Sequence, residues 1–240
     1  MQRRPDAARQ VEKMLTNAKE ESAGKKRIFI VDDHPIVREG LSLMMNREPD
    51  LVVCGEAEGA AAALQAIIAT RPDFLIVDIS LNGPDGLDLL KNIRARFPAL
   101  PVLILSMHDE SIYAERALRA GANGYIMKQE ATEKVLIAVR QILSQKVYVS
   151  DRIANRMLQQ YISGSATEKH SPIAELSDRE LEVFRLIGEG HSTRMIAEEL
   201  HLSVKTVESY QAHIKEKLSL KNGRELVQRA IQWTVDEGAA

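Results

Sequence analysis

Asp32, Asp33, Asp78, Ser106 and Lys128 are the side chains in this 240-residue chain that could handle a phosphoryl group or a divalent cation. Each follows a short apolar run of β type. Taken singly they have ordinary explanations, since a strand-end aspartate is often a turn or helix cap and a terminal lysine is usually solvated. Their joint occurrence, one polar set per strand end, is harder to explain that way. In an open parallel α/β sheet, functional groups gather beyond the carboxyl ends of the strands. Three carboxylates brought together there repel one another and hold raised pKa values unless a cation sits among them. Oxygen ligands with room for water suit Mg²⁺.

The elements that must position these groups can be traced from Arg27 onward. Strand-like runs at Arg27–Val31, Leu51–Cys54, Phe74–Val77, Val102–Leu105 and Gly124–Met127 alternate with helical patterns starting near Pro35, Ala60, Leu87, Ser111 and Lys134. Five βα repeats predict a parallel, doubly wound sheet over 27–145, and strands so uniformly apolar imply helices on both faces. After Gln145 the alternation stops. Residues 146–171, with a short helix at Asp151–Tyr161 and the run Ser163-Gly-Ser165, predict a linker.

From 172 to 240 the pattern is helical. Ser177-Asp-Arg-Glu180 is a capping box ahead of an apolar run to Ile187, and Ser192 and Ser203 are the next expected N-caps. Beyond Ser203, Val207, Ile214 and Leu218 fall on one stripe that must face a core. The opposite face presents Lys205, Glu208, Ser209 and Ala212. Such a helix can lie in a major groove, with Lys205 on phosphate and the other three near base edges. A generic amphipathic helix is the plainer alternative.

The totals are permissive. A chain of 240 residues with 45% apolar content has room for two domains. The net charge of -2 hides opposed regions: +3 over 1–26, -4 over 27–145, +2 over 146–170 and -3 over 171–240. Within 205–229, Lys205, Lys215, Lys217, Lys221, Arg224 and Arg229 exceed Glu208, Glu216 and Glu225 by 3, which suits a small domain with one nucleic-acid-facing side. Cys54 is the only cysteine, so an intrachain disulfide and a cysteine-cluster zinc site are excluded; its apolar run places it in the core. The sequence carries neither a long apolar span nor a leader pattern, so a cytoplasmic protein without membrane contact is expected. Residues 1–26 are a polar extension with a possible amphipathic helix around Ala8–Ala18.

The segments Ile30-Val-Asp-Asp-His-Pro-Ile-Val-Arg-Glu-Gly-Leu41, Asp78-Ile-Ser-Leu81, Asp85-Gly86, Leu105-Ser-Met-His108 and Gly121-Ala-Asn-Gly-Tyr-Ile-Met-Lys128 resemble receiver domains of bacterial two-component response regulators. The resemblance implies a flavodoxin-like fold over 27–145 and a phosphoryl group taken by Asp78 from a sensor histidine kinase. It also implies that Asp33 and Asp78 ligate Mg²⁺ directly, Asp32 through water, and the Ser80 backbone carbonyl completes the set. Lys128 would flank the phosphoryl oxygens, Ser106 would swing in to bond them, and Tyr125 would turn inward as the hydroxyl moves. Two positions depart from the family. The loop Leu81-Asn-Gly-Pro-Asp-Gly86 has its proline later than is usual, and Thr132 stands where many relatives carry proline.

Residues 175–233 resemble the LuxR-type helix-turn-helix of the NarL/FixJ response regulators, through Leu176-Ser-Asp-Arg-Glu-Leu-Glu-Val183, Ser192-Thr-Arg-Met-Ile-Ala-Glu-Glu-Leu200 and Leu202-Ser-Val-Lys-Thr-Val-Glu-Ser-Tyr210. This implies an all-α four-helix domain that binds double-stranded promoter DNA through Lys205, Thr206, Glu208, Ser209, Ala212 and Lys215, with a last helix near Arg224–Trp233 forming homodimers. Phosphorylation is expected to expose the recognition helix and favour dimers on paired half-sites. Two other readings compete. One is an aspartyl-phosphate phosphatase or phosphotransferase, many of which place a second acid where this chain has Ser80. The other is an interaction domain that merely keeps the receiver fold.

Overall fold

The computed structural model describes residues 24–81, 86–107, 110–130, 132–162 and 172–238. Five strands, β1 (Lys26–Val31), β2 (Leu51–Ala57), β3 (Phe74–Asp78), β4 (Val102–Ser106) and β5 (Gly124–Met127), form one parallel sheet in the order β2-β1-β3-β4-β5. The helices α1 (Pro35–Arg47), α2 (Ala60–Thr70), α3 (Gly86–Arg96), α4 (Glu110–Arg119) and α5 (Thr132–Leu143) connect and follow the strands. Strand order reverses between β1 and β3, and that switch point is where such sheets bind ligands.

The central strands β1, β3 and β4 are almost wholly buried because helices cover both faces. Two apolar clusters lie on opposite sides of the sheet: Phe29, Val31, Leu75, Val77 and Ile104 on one, Ile28, Ile30, Ile76, Leu103 and Leu105 on the other. Edge strand β2 is only partly covered, so Cys54 is half-buried and packs against the core's margin. Burial pushes its thiol pKa up. This strand runs three residues past the expected Cys54 end, through Gly55, where a Cβ would stand 2.6 Å from the Phe29 ring. The β1–β2 register shifts at Ile28/Phe29 to admit that contact.

Helix α6 (Asp151–Ile162) folds back onto the sheet unit. Ser150 donates to Glu110 at 2.7 Å, Arg156 donates to the Ser111 carbonyl at 3.0 Å, and Ile153 is buried. The helical unit then comprises a 3₁₀ turn at Pro172–Glu175, α7 (Asp178–Gly188), α8 (Thr193–Glu199), α9 (Val204–Lys217) and α10 (Gly223–Gly238). The capping box forms as expected: the Ser177 hydroxyl accepts from the Glu180 N–H while the Glu180 carboxylate accepts from the Ser177 N–H. Ser192 and Ser203 cap α8 and α9. The amphipathic pattern at Ala8–Ala18, the Ser163–Ser165 run and the late proline in the loop 82–85 lie outside the described residues.

Candidate phosphoacceptor site and nucleic-acid interface

The sheet delivers the chemistry to one edge. Asp32 and Asp33 leave β1, Asp78 and Ser106 are the last residues of β3 and β4, and Lys128 follows β5. Asp32 and Asp78 are each 1% exposed and Ser106 is fully buried. Between the two carboxylates sits the Lys128 ammonium, whose Nζ is 2.7 Å from Asp32 Oδ2 and 2.7 Å from Asp78 Oδ2. The second contact is an aligned hydrogen bond; the first is an ion pair without that alignment. The Ser80 N–H donates to Asp78 Oδ1 at 3.1 Å, which fixes the rotamer of the carboxylate and turns the loop behind it.

Burial raises the Asp78 carboxyl above its usual range; Lys128 counters part of that, and Asp32 adds to it. A carboxylate held this way gains from any further positive charge. Ligand atoms of Asp32, Asp33, His34 and Asp78 lie within 4.8 Å of one another, close enough to share one ion. Asp33 Oδ1 is buried without a hydrogen bond, although His34 Nδ1 stands 2.7 Å away. His34 pairs with Asp33 as an ion pair, and the three carboxylates supply the oxygen donors that fit Mg²⁺. Gly86 is needed here: a Cβ would sit 2.1 Å from the Asp78 carbonyl oxygen, so α3 can start this close to the site only with glycine.

Sequence reasoning did not include His34 in this group. The signal was its position directly after Asp33, obscured because an exposed histidine at a helix start has no pattern of its own. Tyr125, on β5, is 1% exposed. The Thr132 departure marks the first residue of α5.

In the helical unit, Val207 and Ile214 are fully buried and Leu218 packs beside them, so the opposite face of α9 is set by geometry. Lys205, Glu208, Ser209 and Ala212 are exposed, whereas Thr206 and Lys215 are half-buried at its margin. The Thr206 hydroxyl is 2.7 Å from that of Ser203, and the Ser209 hydroxyl donates to the Lys205 carbonyl at 3.0 Å. Lys205, Glu208, Ser209 and Ala212 are therefore on the solvent side of α9. Lys217 leaves the basic tally for structural reasons, because its ammonium is 2.6 Å from Glu180.

With fold and site in place, the class is defined. Residues 28–140 match the family described as the response regulator receiver domain, and residues 174–230 match the one described as bacterial regulatory proteins, luxR family. The chain belongs to the response regulators that join a receiver domain to a LuxR-type DNA-binding domain, the NarL/FixJ family. Its function is two-component transcription regulation, and the family is one of regulators rather than classical enzymes, which removes the phosphatase reading.

Among particular relatives, it is 38% identical over 211 residues to the "Oxygen regulatory protein NreC" of Staphylococcus epidermidis, covering 86% of this chain and 97% of the relative. The protein of the same name from Staphylococcus haemolyticus is 38% identical over 210 residues, with 86% and 97% covered. Among solved structures, RcsB from Salmonella enterica serovar Typhimurium, bound to promoter rprA in the presence of phosphomimetic BeF₃⁻, matches with 28% identity and a TM-score of 0.55, covering 85% of this chain and 97% of that one. A LuxR-family two-component response regulator from Aurantimonas matches with 36% identity and a TM-score of 0.54 over 57% of this chain and 99% of that one.

Proposed function

We propose that Asp78 is the phosphoacceptor, taking a phosphoryl group from the phosphohistidine of a sensor histidine kinase. Its carboxylate oxygen attacks phosphorus, a P–O bond forms as the P–N bond breaks, and the leaving imidazole nitrogen keeps the electron pair. The observation that carries this reading is the buried Lys128 ammonium seated 2.7 Å from both Asp32 and Asp78. Lys128 neutralises charge on the transferred group, and Mg²⁺, when bound, would supply further neutralisation; Asp33, Asp78 and the Ser80 carbonyl would hold it directly and Asp32 through water. Ser106, buried at the end of the neighbouring strand, supplies the hydroxyl that bonds the new oxygens. Tyr125, buried on the adjoining strand β5, is the aromatic that would turn inward as that hydroxyl moves.

Output is binding of double-stranded promoter DNA in the cytoplasm. Lys205 holds phosphate, with Thr206 and Lys215 at the margin of the contact, and Glu208, Ser209 and Ala212 approach base edges. Val227, Ile231 and Val235 form an exposed apolar stripe at spacings of four on α10, which suits a homodimer contact favoured by phosphorylation. The test is labelling with acetyl phosphate and Mg²⁺. Wild-type protein is expected to be labelled and Asp78→Asn is not; persistent labelling of the variant would remove Asp78 from the role.

A further inference from the structure

Arg38 lies early in α1 and turns its guanidinium back toward the end of β1. Its Nη1 donates to the Asp32 carbonyl at 2.6 Å, and its Nε stands 3.8 Å from Glu56 Oε2 near the end of β2. The Ser42 hydroxyl, one turn further along α1, donates to the other Glu56 carboxylate oxygen, so Glu56 is held from the same helix. The Arg38 side chain is only 16% exposed. A mostly buried guanidinium bonded to a carbonyl is a strong and directional restraint.

The atom it holds matters for the cation. The Asp32 carbonyl belongs to the peptide that joins Asp32 to Asp33, and a planar peptide passes the orientation of its carbonyl to both residues. Asp32 is fixed in three further ways: its N–H donates to the Ala57 carbonyl at 3.1 Å, its Oδ1 accepts from the His34 N–H at 2.9 Å, and its Oδ2 meets Lys128. The Asp33 carboxylate is held differently. Its Oδ1 is buried without a hydrogen bond, and the His34 ring that pairs with it is 60% exposed. The direction of that carboxylate is therefore governed chiefly by the backbone, whose plane Arg38 sets. Charge alone would argue against an arginine here, because a cation near a Mg²⁺ site repels the metal. Glu56 offsets that charge, which leaves the hydrogen bond as the contribution of Arg38 to the site.

We propose that Arg38 is a positioning residue for the divalent cation: by holding the peptide between Asp32 and Asp33 it presets the Asp33 carboxylate for Mg²⁺, with Glu56 and Ser42 steadying the guanidinium. The inference rests on Asp33 and Asp78 being the Mg²⁺ ligands. It gives α1 a part in cation affinity although none of its side chains touches the ion. A preset carboxylate binds more tightly because less conformational freedom is given up on binding. Groups that orient metal ligands typically contribute about 10–100-fold in affinity, and Arg38, acting through one peptide, belongs at the lower end.

The experiment is calorimetric titration of the full-length chain with Mg²⁺ in the absence of a phosphodonor. Arg38→Met, which keeps the stem and removes both charge and donors, is expected to bind Mg²⁺ about tenfold more weakly than wild type. Arg38→Lys, which keeps the charge and one donating group, should fall between the two. A purely electrostatic role predicts the opposite sign; tighter binding by Arg38→Met, or equal binding, would overturn the proposal. Arg140→Gln controls for a general loss of stability, because Arg140 pairs with Glu48 and Asp50 at the other end of the sheet. A comparable loss of Mg²⁺ affinity in that variant would overturn the proposal too. Where circular dichroism shows that Arg38→Met does not fold, Arg38→Gln is titrated with the same expectation. If wild type does not bind Mg²⁺, or Asp33→Asn binds it as wild type does, the ligand reading falls and the inference with it. An unchanged Arg38→Met beside a weakened Asp33→Asn removes Arg38 alone.

Discussion

Lys128 is a cation held between two buried acids, and much of the site's behaviour follows from that placement. Removing one partner from a buried ion cluster typically costs about 3–5 kcal/mol, because the remaining charges lose their compensation. Lys128→Ala is expected to show a loss of that order in urea denaturation without Mg²⁺, and a clearly smaller one with it. Equal losses in both conditions would count against a cation among the carboxylates. Asp78 gives a pH signature of known sign. Its folded pKa is raised, so the native state binds the proton more tightly than the unfolded chain. That contribution is fully present below the ordinary carboxylate value of about 4 and is lost as pH rises through the raised folded value. In metal-free denaturation across this range, Asp78→Asn should become progressively more stable relative to wild type as pH increases.

At the scale of elements, α7 depends on Glu180, which is buried yet bonded by Lys217 Nζ and the Ser177 N–H. Burial alone would raise its pKa, but these bonds outweigh burial and hold the carboxyl below its usual range. A depressed carboxyl contributes stability above its unfolded pKa that is lost as pH falls through the folded one. Acid melts of Glu180→Gln should therefore show less pH dependence than wild type below the normal glutamate range. Ser177→Ala should cost about 1 kcal/mol by losing the cap. This cap was legible in the sequence because it is local, as were the five strands and the strand-end set, whose apolar runs and chain order are one-dimensional signals. Gly55 was not: it reads as a strand terminator unless the Phe29 ring it accommodates is known. The bonds of Arg116 to Ile173, Leu176 and Asp178, and of Arg179 to Leu81, were equally invisible, since these partners lie 57 to 98 residues away and no periodicity marks them.

Across the whole molecule, charge and apolar surface divide the labour of binding. The chain is slightly acidic overall, so attraction to DNA must come from the local surplus around α9 and not from a general field. Counterion release makes that attraction measurable: Lys205→Ala should weaken binding to all sequences and lower the salt slope by about 1 per monomer, while Ser209 or Ala212 substitutions should change site preference at little cost in slope. Dimerisation multiplies this modest single-domain affinity. The Val227, Ile231 and Val235 stripe is exposed on α10, a helix other than α9, so a charge placed there should separate pairing from DNA contact. Ile231→Glu is expected to bind an isolated half-site as wild type does, yet to lose about a hundredfold or more on paired half-sites, the range that linked binding normally supplies. Titrating both DNAs with phosphorylated protein separates the outcomes: equal loss on single and paired sites would mean that α10 supports the fold of the DNA-binding unit and not the dimer.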